Sequence, residues 1–124
     1  MKNDTVSFQD GVAQWVTSCF GVEASKDVAE RSFRFLEEAI ELFQATGRTA
    51  EEAYQMVDHV FSRPVGEPSQ EVGGVMMTLA ALCAAADLDM DQNGQTELAR
   101  IWTKMDEIRL KHASKPRLSI PLNT

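Results

Sequence analysis

The sequence predicts an all-α protein, a bundle of about five helices. Three observations carry that expectation. Apolar residues recur at spacings of three and four, nothing alternates for long with a period of two, and the four prolines and seven glycines punctuate the chain between periodic stretches. From Ser7 to Phe20, the residues Val12, Trp15, Val16, Cys19 and Phe20 fall on one helical face, and Gly21 ends it. A second helix, about Lys26 to Thr46, gathers Ala29, Phe33, Leu36, Ala39, Ile40 and Phe43, with Gly47 at its C-terminal stop. Thr49 and Glu52 form a capping-box pattern for a third helix, which carries Tyr54, Met56, Val57, Val60 and Phe61 and must fail before Pro64. Arg63 to Pro68 reads as a loop, and Pro68 suits the first turn of a fourth helix running to about Ala86. A fifth, about Gln95 to His112, carries Leu98, Ile101, Trp102, Met105 and Ile108. Residues 1–113 are thus expected to form a single all-α domain. Residues 114–124, with Pro116 and Pro121, read as an extended tail, mobile or strapped across a neighbour.

The fourth helix differs from the others. From Val72 to Ala86 it has no charge, and a helix apolar on every side is normally surrounded by other helices. It is expected at the centre of a bundle or of a dimer interface. Gly73 and Gly74 each cost about 1 kcal/mol relative to alanine in a helix interior. Close approach of a neighbouring helix is the favoured reason, and room for a base or ribose the other.

Composition bounds the function. The chain has 124 residues, 44% hydrophobic and 25% charged, as expected of one soluble domain or one subunit. The run from Val72 to Ala86 is too short to span a bilayer, and no basic-then-apolar leader opens the chain. Cys19 and Cys83 sit among apolar neighbours and suggest buried thiols in a reducing compartment, so a cytoplasmic protein is expected. A net charge of −7 counts against polynucleotide binding, which needs clustered Lys and Arg. It leaves open a small nucleotide whose charge is carried by metal ions.

The carboxylates of the second helix are the main chemical signal. Glu37, Glu38 and Glu41 lie opposite Leu36, Ile40 and Phe43, and Arg34, Glu38, Glu41 and Ala45 share a narrow arc. Glu38 and Glu41, at i and i+3, can converge on one ion. Their mutual repulsion, a few tenths of a kcal/mol on an exposed helix, is reversed by a hard cation such as Mg²⁺, which takes oxygen ligands. A solvated acidic face is the alternative, although Phe35 and Leu42 flank Glu38 as a pocket wall would. Glu71 is the carboxylate of the fourth helix's first turns. Its plain reading is a favourable charge at a helix N-terminus, worth about 0.3–1 kcal/mol.

Two strings, Arg31-Ser-Phe-Arg-Phe-Leu-Glu-Glu-Ala-Ile-Glu-Leu-Phe-Gln-Ala45 and Gln70-Glu-Val-Gly-Gly-Val-Met-Met-Thr-Leu-Ala-Ala-Leu82, together resemble the MazG-like all-α nucleoside triphosphate pyrophosphohydrolases. That superfamily also includes dimeric dUTPases and phosphoribosyl-ATP pyrophosphohydrolases. Its signature is Glu-x-x-Glu on one helix and Glu-x-x-Asp on the next core helix. Glu38-x-x-Glu41 matches the first half, and Glu71 begins the second, but Gly74 stands where the family has aspartate. The likeness covers about residues 28–112.

The resemblance implies Mg²⁺-dependent hydrolysis of a (deoxy)nucleoside triphosphate to a monophosphate and pyrophosphate. Glu38, Glu41 and Glu71 would hold Mg²⁺, with Mn²⁺ as a substitute. Glu37 or Glu38 would orient or deprotonate the attacking water. Lys104 and Arg109 would meet phosphates, or else belong to a solvated face with Asp106 and Glu107. Arg34 would join them or pair with Glu38. A homodimer or dimer of dimers is implied as well. Gly74 leaves three outcomes open: a substitute carboxylate from Asp58, Glu67 or Asp87, a site completed by three glutamates and substrate phosphates, or loss of catalysis. The last describes a catalytically impaired nucleotide-binding or helical interaction protein on the same scaffold.

Other motifs carry less. Asp89 to Gly94 matches the first half of an EF-hand loop, but Arg100 occupies the twelfth position, where a bidentate glutamate is needed. A turn leading into the last helix is expected there. His59 and His112 are isolated and have no zinc-ligand spacing. There is no phosphate-cradling Gly-x-x-x-x-Gly-Lys loop and no Gly-x-Ser-x-Gly elbow. The six methionines read as core filler.

Overall fold

A computed structural model describes residues 6–117, and these form seven α-helices with no strand among them. The all-α expectation holds, with two more helices than predicted.

Helix α1 (Phe8–Phe20) starts on the Ser7 hydroxyl, which accepts from the Asp10 amide, and ends at Gly21 with φ 94°. That left-handed conformation suits glycine and turns the chain into α2 (Val22–Lys26), a single turn the periodicity does not announce. Asp27 then accepts from the Glu30 amide and caps α3 (Val28–Ala45). The last turn of α3 closes with Arg48 N–H on the Phe43 carbonyl, and Gly47 takes φ 92°. Helix α4 (Ala50–Phe61) opens with the expected capping box: Thr49 Oγ1 accepts from the Glu52 amide, and Glu52 Oε1 accepts from the Thr49 amide at 2.9 Å. Helix α5 (Pro68–Ala85) has Pro68 in its first turn, as expected. It ends as Asp87 swings to φ 59° and Leu88 N–H reaches the Cys83 carbonyl.

The predicted fifth helix is two. Helix α6 (Met90–Trp102) begins five residues early and absorbs most of the EF-hand-like stretch, where a turn was expected. Helix α7 (Met105–Ser114) follows a break at Thr103 and Lys104. The break has a local cause. The Ile101 carbonyl, which would accept from Met105 in a continuous helix, instead accepts from the Trp15 indole at 3.0 Å and from Lys104 N–H. The expected tail begins inside α7 at Ser114, and its residues 118–124 lie outside the described segment.

The chain divides into two compact units, residues 1–34 with 91–124, and residues 35–90. In the first, α1 packs on α2 and α7. Trp15 and Cys19 are buried there, and Trp15 meets the Phe20 ring edge-on at 5.7 Å. Gly11 and Gly94 admit close neighbours: a Cβ on either would stand 3.3 Å from Leu98 or Phe8 respectively.

Residues 35–90, comprising the second half of α3 with α4 and α5, bury one side chain, Cys83. Helix α5 was expected at the centre of a bundle or of a dimer interface; within the single chain Val72, Met76 and Met77 are 61%, 60% and 75% exposed. Met76 and Met77 are therefore not buried within the single chain. Among the described residues nothing outside the helix's own backbone lies within 4 Å of where a Gly73 Cβ would be, and the nearest group to Gly74's is the Glu71 carboxylate. Close helix approach within the chain therefore does not account for either glycine. Among the described residues no single helix is long and apolar enough to cross a membrane.

Candidate functional site

The candidate carboxylates all fall in residues 35–90. Glu38 and Glu41 sit one turn apart on α3, both exposed, with Glu37 half-buried beside them. Glu71 occupies the first turn of α5. Its carboxylate folds back over the loop, so that a Cβ on Gly66 would overlap Oε2, while Oε1 stands 4.0 Å from where a Gly74 Cβ would be. Side chains on a helix lean toward its N-terminus, which places this carboxylate at the positive end of α5.

All-oxygen, carboxylate-rich donors match Mg²⁺ or Mn²⁺ in chemistry. Among the described residues no three His, Cys, Asp or Glu side chains stand together as a metal-holding group. Of the three substitutes for the family aspartate, Glu67 precedes Glu71 by one turn and accepts from the Ser69 hydroxyl at 3.4 Å. Asp87 lies past the opposite end of α5, about 24 Å along the helix axis from Glu71 at 1.5 Å per residue. There it lines a shallow cleft of about 430 Å³ with Ala80, Cys83, Ala84 and Asp89. Asp58 is exposed on α4.

The basic candidates belong to the other unit and have structural partners. Arg34 points back along α3, donating from Nε to Glu30 at 2.8 Å and from Nη2 to the Pro116 carbonyl. Arg109 donates from Nε to the Cys19 carbonyl at 2.8 Å and from Nη2 to the Ser18 carbonyl at 3.3 Å. It thereby satisfies the free carbonyls at the end of α1, where a cation is favoured, and it also pairs with Asp106 at 3.3 Å. Lys104 lies in the break before α7, 3.6 Å from Glu107. Each thus stands beside the acidic neighbour, Glu107 or Asp106, that the sequence places near it.

One cluster carries no sequence signal. Glu30 Oε2 holds Arg34 and also His112 Nε2 at 3.0 Å, across 82 residues of sequence. His112 lies against Phe20 at 4.7 Å, and Arg31 sits over the same ring at 5.8 Å. Burial pushes the Glu30 carboxyl upward, but the hydrogen bond from His112 and the charge of Arg34 outweigh it and hold it below the usual glutamate range. Burial likewise raises the Cys19 thiol, against the lowering influence of Arg109, and the thiol donates to the Met105 carbonyl at 3.9 Å. It is an inert core group, unlike an activated nucleophile.

No family model, curated protein or solved structure matches this chain.

Proposed function

We propose that the protein hydrolyses a (deoxy)nucleoside triphosphate, or a related nucleotide, between the α and β phosphates in a Mg²⁺-dependent reaction. The observation that carries this reading is the order Glu38-x-x-Glu41 on α3, then Glu71 in the first turn of α5. The resemblance to MazG-like pyrophosphohydrolases drawn from the same residues supports it. Glu38, Glu41 and Glu71 would hold Mg²⁺, or Mn²⁺ in its place, which neutralises triphosphate charge and polarises the scissile phosphorus. Glu37 or Glu38 orients the attacking water. Lys104, Arg109 and Arg34 are the candidate phosphate contacts. The protein would act in the cytoplasm as a homodimer or dimer of dimers.

A second reading has its own support. Gly74 supplies no carboxylate where the resembled family has aspartate. This feature favours a nucleotide-binding or helical interaction protein without turnover. Purified protein with Mg²⁺, offered standard and modified NTPs and dNTPs, separates the two when monophosphate and pyrophosphate are followed by chromatography. Turnover of one nucleotide, reduced at least ~100-fold in Glu38→Gln with the fold retained, supports the enzyme. A folded protein that turns over nothing across the panel leaves the binding reading.

A further inference from the structure

Of the seven glycines, Gly66 alone lies where an added Cβ would overlap another group, and that group is the Glu71 carboxylate. The Cβ would fall on Oε2 and stand 3.0 Å from Cδ and 3.4 Å from Cγ. Backbone conformation does not call for glycine at this position, because positive φ among the described residues is confined to Gly21, Gly47 and Asp87. What Gly66 supplies is space. Pro64 and Pro68, each with its φ fixed by the ring, stiffen the loop on either side of it. The notch over its bare Cα is thereby held against the first turn of α5.

The carboxylate seated there is not spent on its own helix. In α4, Glu52 turns back to the Thr49 amide and completes a capping box. In α5 no side chain caps the first turn, Glu67 takes the Ser69 hydroxyl, and no described residue donates to the Glu71 carboxylate. A carboxylate oriented by shape, with its lone pairs uncommitted, is preorganised for a hard cation. We infer that Gly66 is a positioning residue for Glu71: its missing side chain sets the orientation in which that carboxylate would meet Mg²⁺. The inference rests on the cation role of Glu71 in the proposed hydrolysis and adds the residue on which that role depends.

Calorimetry of Mg²⁺ binding to the full chain tests it with Gly66→Ala, Glu71→Gln and the double variant. Val65→Ala is the control, since Val65 is in the same loop and fully exposed. Gly66→Ala displaces only the flexible end of one side chain, so circular dichroism should show the fold retained. Gly66→Ala and Glu71→Gln are each expected to weaken Mg²⁺ binding about 10- to 100-fold, as loss of a group that orients a metal ligand does. The double variant should bind no more weakly than Glu71→Gln, and Val65→Ala should bind like the unmodified chain. Binding that is lost in Glu71→Gln but unchanged in Gly66→Ala overturns this inference and leaves the nucleotide reading standing. Losses that multiply in the double variant also sink it, because Gly66 then acts other than through Glu71. Binding unmoved by Glu71→Gln removes the cation role of Glu71 and this inference with it. Should Gly66→Ala fail to fold, proton NMR of the unmodified chain decides. Nuclear Overhauser contacts between the Gly66 α-protons and the Glu71 γ-methylene are expected, and their absence means that the seat does not exist.

Discussion

Gly74 is the residue at which the functional reading is most exposed to test. A Cβ there would meet Glu71 Oε1 at 4.0 Å, an ordinary contact, and no other side chain of the described residues within that distance. Gly74→Asp therefore has room, and it places a second carboxylate beside the first without a cost in helix propensity. If Glu71 belongs to a cation site, this variant should bind Mg²⁺ about tenfold more tightly by calorimetry, since affinity rises with the number of charged ligands. Unchanged or weaker binding would leave Glu71 as a helix-terminus charge. Glu30 makes a different kind of prediction. Its folded pKa lies below the unfolded value of about 4.3, so its pairing with His112 and Arg34 stabilises the protein fully above that value. The contribution is lost as pH falls through the lower folded pKa. Urea melts of Glu30→Gln should consequently show a flatter fall in stability below about pH 4.5 than the unmodified chain. Parallel curves would remove Glu30 from the acid response.

At the scale of elements, caps and stops were legible and long-range causes were not. Ser7, Gly21, Gly47, Thr49 and Pro68 each fix a boundary through chemistry within four residues, and each boundary lies where the sequence reading put it. The break between α6 and α7 was missed because its cause, the Trp15 indole on the Ile101 carbonyl, spans 86 residues. The Glu30–His112 contact was invisible for the same reason. The spacing of Glu38 and Glu41 on one helix was readable, but spacing along a chain says nothing of whether Glu71 joins them. Enclosure of α5 was inferred from its composition, which reports the need for apolar neighbours and not their source. The α4 capping box yields a quantitative expectation. Thr49→Ala removes one of its two reciprocal bonds and should destabilise the fold by about 1 kcal/mol in denaturant titration. A loss below roughly 0.3 kcal/mol would mean that α4 is held by its packing in an assembly and not by its own N-terminus.

For the whole molecule the decisive feature is how charge divides. Residues 35–90 hold ten Asp and Glu against Arg48 and Arg63, a net charge of −8, while the remainder of the chain is close to neutral at +1. The whole of the net negative charge therefore resides in the unit whose one buried side chain is Cys83. Two such units brought together repel over several ångströms, while the apolar contact between them is indifferent to ionic strength at moderate salt. Added salt shortens the Debye length from about 30 Å at 0.01 M to about 8 Å at 0.15 M and should strengthen association several-fold, whereas contact with a basic partner or polyanion would weaken. Mg²⁺ separates screening from site binding. At matched ionic strength, Mg²⁺ should promote dimerisation beyond Na⁺ if Glu38, Glu41 and Glu71 take the ion, and Glu38→Gln should abolish that excess while leaving the response to Na⁺ intact. Sedimentation equilibrium in the two salts measures both. Equal responses to the two cations would assign the acidic residues to solubility alone, and association that weakens with NaCl would show that charge attraction and not apolar burial holds the copies together.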